Sequence, residues 1–73
     1  MKGFIEVRLN YNGNSLLILI NINNIESVVR CADGLATIYS NVVGSNGSCV
    51  EQIHYATQNT YEEVKAMIEE AMK

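Results

Sequence analysis

With 73 residues, 48% of them apolar and 18% charged, the chain is long enough for one small globular domain and too apolar to be disordered. The net charge is −3, and the five basic residues (Lys2, Arg8, Arg30, Lys65 and Lys73) are dispersed along the sequence. Because nucleic acids and anionic membranes are bound by gathered basic side chains, both partners are disfavoured. A domain of this size has a thin core, and such domains commonly gain stability by oligomerisation.

The sequence contains no recognisable targeting or membrane segment. The start, Met1 to Phe4, lacks the charged and apolar regions of a secretory signal. The longest apolar run, Leu16 to Ile20, is far shorter than the roughly 20 residues that span a bilayer. We therefore expect a soluble, cytoplasmic protein without a membrane partner.

The first predicted element is a β-hairpin. Residues 4–11 alternate between apolar and polar side chains, as in a half-buried strand. Asn12-Gly13 follows, and this dipeptide favours a two-residue type I′ turn because both positions need a positive φ. Such a turn brings apolar residues of the two strands opposite one another. The expected pairs are Leu9 with Leu16, Val7 with Ile18, and Ile5 with Ile20.

The second strand, predicted at residues 15–22, is apolar on both faces. A strand of this kind is usually covered on both faces, and the single helix expected in this chain can cover only one. Leu17 and Leu19 therefore need a second cover, which either another chain or a strongly curved sheet could supply.

Three more strands are predicted at residues 25–31, 35–43 and 49–56. Asp33-Gly34 is interpreted as another type I′ turn, and residues 44–48 as a loop with a tight turn at Asn46-Gly47. These two turns set the expected register: Val29 opposite Ile38, Ile25 opposite Val42, Val28 opposite Tyr39, Ile38 opposite Tyr55, Ser40 opposite Ile53, and His54 opposite Tyr39.

The C-terminal segment predicts an amphipathic helix over residues 61–72. Thr60 can act as its N-cap, and Glu63 can complete a capping box. Six apolar side chains share one helix face: Tyr61, Val64, Met67, Ile68, Ala71 and Met72. We interpret the chain as a single α+β domain, an antiparallel β-meander of about five strands followed by this helix. In hairpin order the first and fifth strands are edges, unless the sheet curls closed or pairs with another chain.

The residues with chemical potential form no pattern typical of an active site. His54 is the sole histidine, and Glu51 lies on the opposite face of the same predicted strand, so it cannot easily orient the ring. The helix glutamates are interpreted as a solvated face, since adjacent helical residues diverge. Cys31 and Cys49 lack CxxC spacing and are interpreted as small apolar residues; a disulfide would need their strands to adjoin. We expect no enzyme, no metal and no cofactor.

An apolar patch on the outer face of the sheet is the candidate interaction site. It comprises Phe4, Leu17, Leu19, Val28 and Tyr39. Exposed apolar patches of a few hundred Å² commonly mark interfaces. The alternative is that strong curvature folds these residues into a small barrel interior.

Two segments resemble the small bacterial flagellar and swarming-motility proteins of the FlbD type, and similar uncharacterised small proteins of gut bacteria and their phages. The first is Asn24-Ile25-Glu26-Ser27-Val28-Val29 after an apolar strand. The second is Ile53-His54-Tyr55 followed by Thr60-Tyr61-Glu62-Glu63-Val64. The resemblance implies the same fold in a bacterial protein without catalytic or ligand residues, and a connection to motility.

Three functions are expected from these observations. The first is a non-enzymatic small protein-interaction module that self-associates into a homo-oligomer. The second is a monomeric adaptor or regulator of a larger motility or phage assembly. The third is a small-ligand binder with a pocket between helix and sheet, near Tyr55, Tyr61 and Met67.

Overall fold

Five antiparallel strands in one sheet, followed by one C-terminal helix, make up the computed structural model, which describes residues 2–46 and 49–73. The predicted α+β class is therefore confirmed. In chain order the elements are β1 (Phe4–Tyr11), β2 (Asn14–Asn21), a single 3-10 turn (Ile22–Asn24), β3 (Ile25–Arg30), β4 (Leu35–Asn46), β5 (Cys49–Thr60) and α1 (Tyr61–Ala71).

The hairpin of β1 and β2 has the predicted turn and register. Asn12 and Gly13 both have positive φ, 52° and 81°, as a type I′ turn requires. The three predicted pairs are all present, from Leu9 opposite Leu16 to Ile5 opposite Ile20. Local chemistry was sufficient here, because an Asn-Gly turn fixes the register of the strands it joins.

The strand order is β2-β1-β5-β4-β3, so the first and fifth strands are interior and the edges are β2 and β3. The expectation that strands one and five form the edges is wrong, because β1 pairs with β5 where Leu9 meets Thr57. The chain leaves β2 through the 3-10 turn, in which the Asn21 side chain accepts a hydrogen bond from the Asn23 N–H at 2.9 Å. The Ile22 N–H donates to the Gly3 carbonyl, so this connection is held beside the start of β1.

The turn between β3 and β4 differs from the predicted one. Only Gly34 has a positive φ, 87°, and its N–H donates to the Cys31 carbonyl at 2.9 Å. The Cys31 N–H in turn donates to Leu35, which closes a three-residue loop instead of a two-residue loop. This geometry is typical of a turn followed by a left-handed residue at a bulge. The extra residue moves the register of β3 by one position.

This shift exchanges the two faces of β3, since a one-residue slip turns every side chain over. Val28 lies opposite Ile38 and packs against the core, whereas Val29 lies opposite Thr37 and is 44% exposed. The predicted pairs of Val28 with Tyr39 and Val29 with Ile38 are therefore wrong. The predicted pair of Ile25 with Val42 is wrong as well, because a bulge brings Ile25 opposite Ser40.

Strands β4 and β5 pair as predicted in their central part and differ beyond it. Ile38 lies opposite Tyr55, and Tyr39 lies opposite His54. A bulge then inserts two residues into β4, so that Val43 faces Gln52 and the predicted pair of Ser40 with Ile53 is wrong. Both strands also run further than predicted: Asn46 pairs with Cys49, and β5 continues to Thr60. The predicted tight turn involves Gly47, which lies outside the described residues.

The helix begins with the predicted capping box. The Thr60 hydroxyl accepts from the Glu63 N–H at 3.1 Å, and the Glu63 carboxylate accepts from the Thr60 N–H at 2.9 Å. The helix ends at Ala71, one residue earlier than predicted. Met72 follows as the C-cap residue and is 68% exposed, so it does not belong to the apolar face.

The core lies between the helix and one face of the sheet. Its buried apolar residues are Ile5, Val7, Ile20, Ala36, Ile38, Val64 and Ala71. The buried Thr57 donates its hydroxyl hydrogen to the Ala36 carbonyl at 2.7 Å, which satisfies its polar atom beside the β5 bulge. Both ends of the helix are tied to turns: the Tyr61 N–H donates to Gly34, and the Gly3 N–H donates to Ala71.

Candidate interaction surface

The edge strand β2 carries the largest exposed leucines of the described structure. Leu17 is 61% exposed, Leu19 is 53% exposed and Leu16 is also exposed. The whole strand, Asn14–Asn21, contains neither a charged residue nor a proline. Charges and prolines are the usual means by which proteins protect edge strands from pairing with other chains. This strand, with its three exposed leucines, is called the β2 edge below.

The backbone of the β2 edge alternates in the direction of its hydrogen-bonding groups. In a two-residue hairpin the residues next to the turn, here Tyr11 and Asn14, exchange hydrogen bonds, and successive pairs then alternate. The even-numbered residues of β2 therefore point their N–H and C=O groups toward β1. The odd-numbered residues, including Leu17 and Leu19, point theirs away from the sheet, where an incoming strand would pair.

On the outer face of the sheet, opposite charges flank the exposed leucines. Glu6 of β1 lies opposite Leu19, and Arg8 lies opposite Leu17. Phe4 belongs to the same face by alternation and is also partly exposed. The outer face of β1 and β2 is thus an apolar strip with one acidic and one basic residue beside it, a composition found at protein interfaces.

The other edge strand, β3, has the protective features that β2 lacks. It carries Glu26 and Arg30, and its pairing with β4 is interrupted by a bulge between Ile25 and Ser27. The Arg30 guanidinium lies 3.5 Å from the Glu62 carboxylate of the helix. Bulges and charged side chains both discourage pairing along an edge. The two edges therefore differ in their availability to another strand.

The structure divides the predicted apolar patch. Leu17, Leu19 and Phe4 lie together on the outer face of β1 and β2. Tyr39 lies on β4, where its ring stacks on His54 with centroids 5.6 Å apart. Val28 does not belong to the patch, because the shifted register of β3 turns it toward the core. The reason for the division is the strand order, which inserts β5 between β1 and β4.

Three exposed apolar residues near the gap between β2 and β3 were not predicted as part of the surface. Val42 and Ile53 line a depression of about 160 Å³ together with Leu19, Ile20 and Tyr55. Leu16 is exposed near the turn of the first hairpin. The bulge in β4 and the strand order create this depression, and neither has a signal in the sequence.

The residues considered for ligand binding do not share one cavity. Tyr55 lines the 160 Å³ depression, Tyr61 lines one of about 240 Å³ between the helix and Val28, and Met67 lines one of about 480 Å³ beside Phe4. All three also pack against the core. The expected single pocket near these residues is therefore wrong. Their packing serves the contact between helix and sheet.

The cysteines are too far apart to pair. Cys31 lies at the Leu35 end of β4, whereas the backbone of Cys49 pairs with Asn46 at the other end. Twelve residues of extended strand separate these ends, on the order of 35 Å. The Cys31 thiol is free and lies 3.2 Å from the Thr37 hydroxyl.

Within residues 2–46 and 49–73, no group of three His, Cys, Asp or Glu side chains is placed to hold a metal ion. The helix in the same part of the chain is too short and too polar to cross a membrane. In comparisons with known proteins, no family model, no curated protein and no solved structure matches the chain. The resemblance to motility proteins stays a prediction.

Proposed function

We propose that this protein is a non-enzymatic interaction module that self-associates through the β2 edge, acting in the cytoplasm without nucleic acid, membrane or cofactor. The observation that carries the proposal is the contrast between the two edges of the sheet. β3 carries charges and a bulge, whereas β2 carries exposed leucines and outward backbone groups. An uncharged apolar edge of eight residues is a template for strand pairing.

Self-association also suits the size of the chain. Only seven apolar residues form the buried core, and a domain this small gains much from additional burial at an interface. A second copy supplies an edge of the same length and composition, so the pairing needs no other component. The scattered net charge of −3 leaves little long-range repulsion between two copies at physiological salt.

A monomeric adaptor of a larger assembly is the second candidate. The same β2 edge would then accept a strand from another protein, as in β-strand addition. The resemblance of residues 24–29 and 60–64 to motility proteins favours such a role in motility or phage assembly. In this case the edge stays open until the partner arrives, and the isolated chain is monomeric.

Light scattering over a concentration series separates the two candidates. Self-association predicts an absolute mass that rises with concentration from 8.1 kDa toward a discrete multiple of it. An invariant mass of one chain up to millimolar concentration would contradict self-association and leave the adaptor. In that event β2 peptides of candidate partners would be titrated and their binding followed by the amide signals of Leu17 and Leu19.

A further inference from the structure

The structure also constrains how two β2 edges can meet. We propose that two copies pair antiparallel along β2, related by a two-fold axis that passes beside Ile18 at the centre of the joint. This inference rests on the proposed self-association and adds its register. Leu17 of one copy lies opposite Leu19 of the second copy, and the two five-stranded sheets become one continuous sheet with both helices on the same side.

The alternation of the backbone restricts the register. Only odd-numbered residues of β2 present N–H and C=O groups outward, so an incoming β2 must align its odd residues with these. A two-fold axis beside Leu17, Ile18 or Leu19 satisfies this condition. The axis beside Ile18 uses the most groups, because it pairs Leu17 with Leu19 twice and Ser15 with Asn21 twice. Axes beside either leucine leave outward groups at one end of β2 without a partner strand.

The side chains agree with the same register. No residue of β2 is charged, so no like charges meet across the joint. On the outer face, each row across the joint runs from Glu6 through Leu19 to Leu17 and Arg8 of the second copy. Every row thus ends in one acidic and one basic residue, and the four leucines form a continuous band between them.

The depression beside β2 supplies an independent argument. In the register about Ile18, Leu16 of the second copy lies opposite Ile20, which lines the 160 Å³ depression together with Val42 and Ile53. An apolar space of about 150 Å³ accommodates a group the size of benzene, so a leucine side chain fits it. The pairing therefore covers Leu16, Val42 and Ile53, three apolar residues that are exposed in the single chain.

Disulfide trapping tests the register in the intact chain, after Cys31→Ser and Cys49→Ser remove the native thiols. Single cysteines are then placed by Leu17→Cys, Ile18→Cys and Leu19→Cys, with Val29→Cys on the exposed face of β3 as the matched control. We expect the Ile18→Cys variant to cross-link with itself. The Leu17→Cys and Leu19→Cys variants should each stay monomeric on gels and should cross-link when mixed with one another.

Other patterns would overturn the inference. Self-linkage of Leu17→Cys or of Leu19→Cys would shift the axis to that residue, and linkage no greater than that of Val29→Cys would exclude the β2 joint. Because Leu17 and Leu19 are exposed, the mixed experiment does not depend on the half-buried Ile18 tolerating substitution. If the mass rises with concentration but this pattern is absent, self-association stands and the register fails. If the mass never rises, both fail.

Discussion

Replacing Leu19 by lysine is the most direct perturbation of the β2 edge. Leu19 lies opposite Glu6 within the same chain, so the new ammonium gains an oppositely charged cross-strand neighbour. The side chain is already 53% exposed, and the folded single chain should tolerate the change. Leu19→Glu is less suitable, because its carboxylate would face that of Glu6. The lysine variant therefore separates association from folding.

The size of the effect follows from the exposed fraction of Leu19. Burying a whole leucine side chain contributes about 1.5–3 kcal/mol. If the second copy covers half of the exposed 53%, each leucine contributes about 0.4–0.8 kcal/mol, and the two in a dimer contribute about 0.8–1.6 kcal/mol. At 1.4 kcal/mol for each factor of ten, Leu19→Lys should weaken the dimer at least about 4- to 14-fold. The cost of partly dehydrating the lysine adds to this.

The assay is sedimentation equilibrium or light scattering over the concentration range in which the wild-type mass changes. Val29→Lys is the matched control, since Val29 is a similarly exposed apolar residue on the other edge strand. We expect Leu19→Lys to move the midpoint to higher concentration and Val29→Lys to leave it in place. Circular dichroism and a thermal melt would verify that both variants are folded.

A midpoint that moves less than twofold for Leu19→Lys, in a folded protein that does associate, would refute the assignment of the interface to the β2 edge. An equal shift for both variants would indicate a general effect of charge instead of a local contact. A shift for Val29→Lys alone would transfer the interface to β3.

The remaining predictions concern stability and are read from thermal melts. Thr60→Ala removes the N-cap and should cost about 1 kcal/mol, which lowers the Tm by about 4–8 °C in a domain of this size; Glu63→Gln keeps an acceptor in the capping box and should cost less, and equal losses would contradict this account. Thr57→Val removes the buried hydroxyl that donates to Ala36 and should cost about 1–3 kcal/mol, whereas a variant as stable as the wild type would show that this bond is dispensable.

Features that depend on a few neighbouring residues could be predicted from the sequence. The Asn12-Gly13 turn is one, because its two positive φ angles are easily adopted by this dipeptide. The capping box of Thr60 and Glu63 is another, since both hydrogen bonds lie within four residues. The register of the first hairpin and the apolar faces of β1 and the helix follow from such local rules.

The turn at Gly34 shows where local rules stop. Asp33-Gly34 is compatible with a two-residue and with a three-residue loop. In the structure the Asp33 carboxylate accepts from the Leu35 N–H, and the Gly34 carbonyl accepts from the first helical N–H, that of Tyr61. The second of these bonds joins residues far apart in the chain. Its presence favours the longer loop, and with it the face on which Val28 lies.

The candidate surface combines both levels. The excess of leucine in β2 was evident from alternation alone, because a strand that is apolar on both faces needs two covers. The sequence could not determine that β2 is an edge, since this follows from the pairing of β1 with β5 across almost the whole chain. Periodicity thus determined which residues of β2 need a cover. The tertiary structure decided which of them remain exposed, because only long-range contacts select the neighbours of each strand.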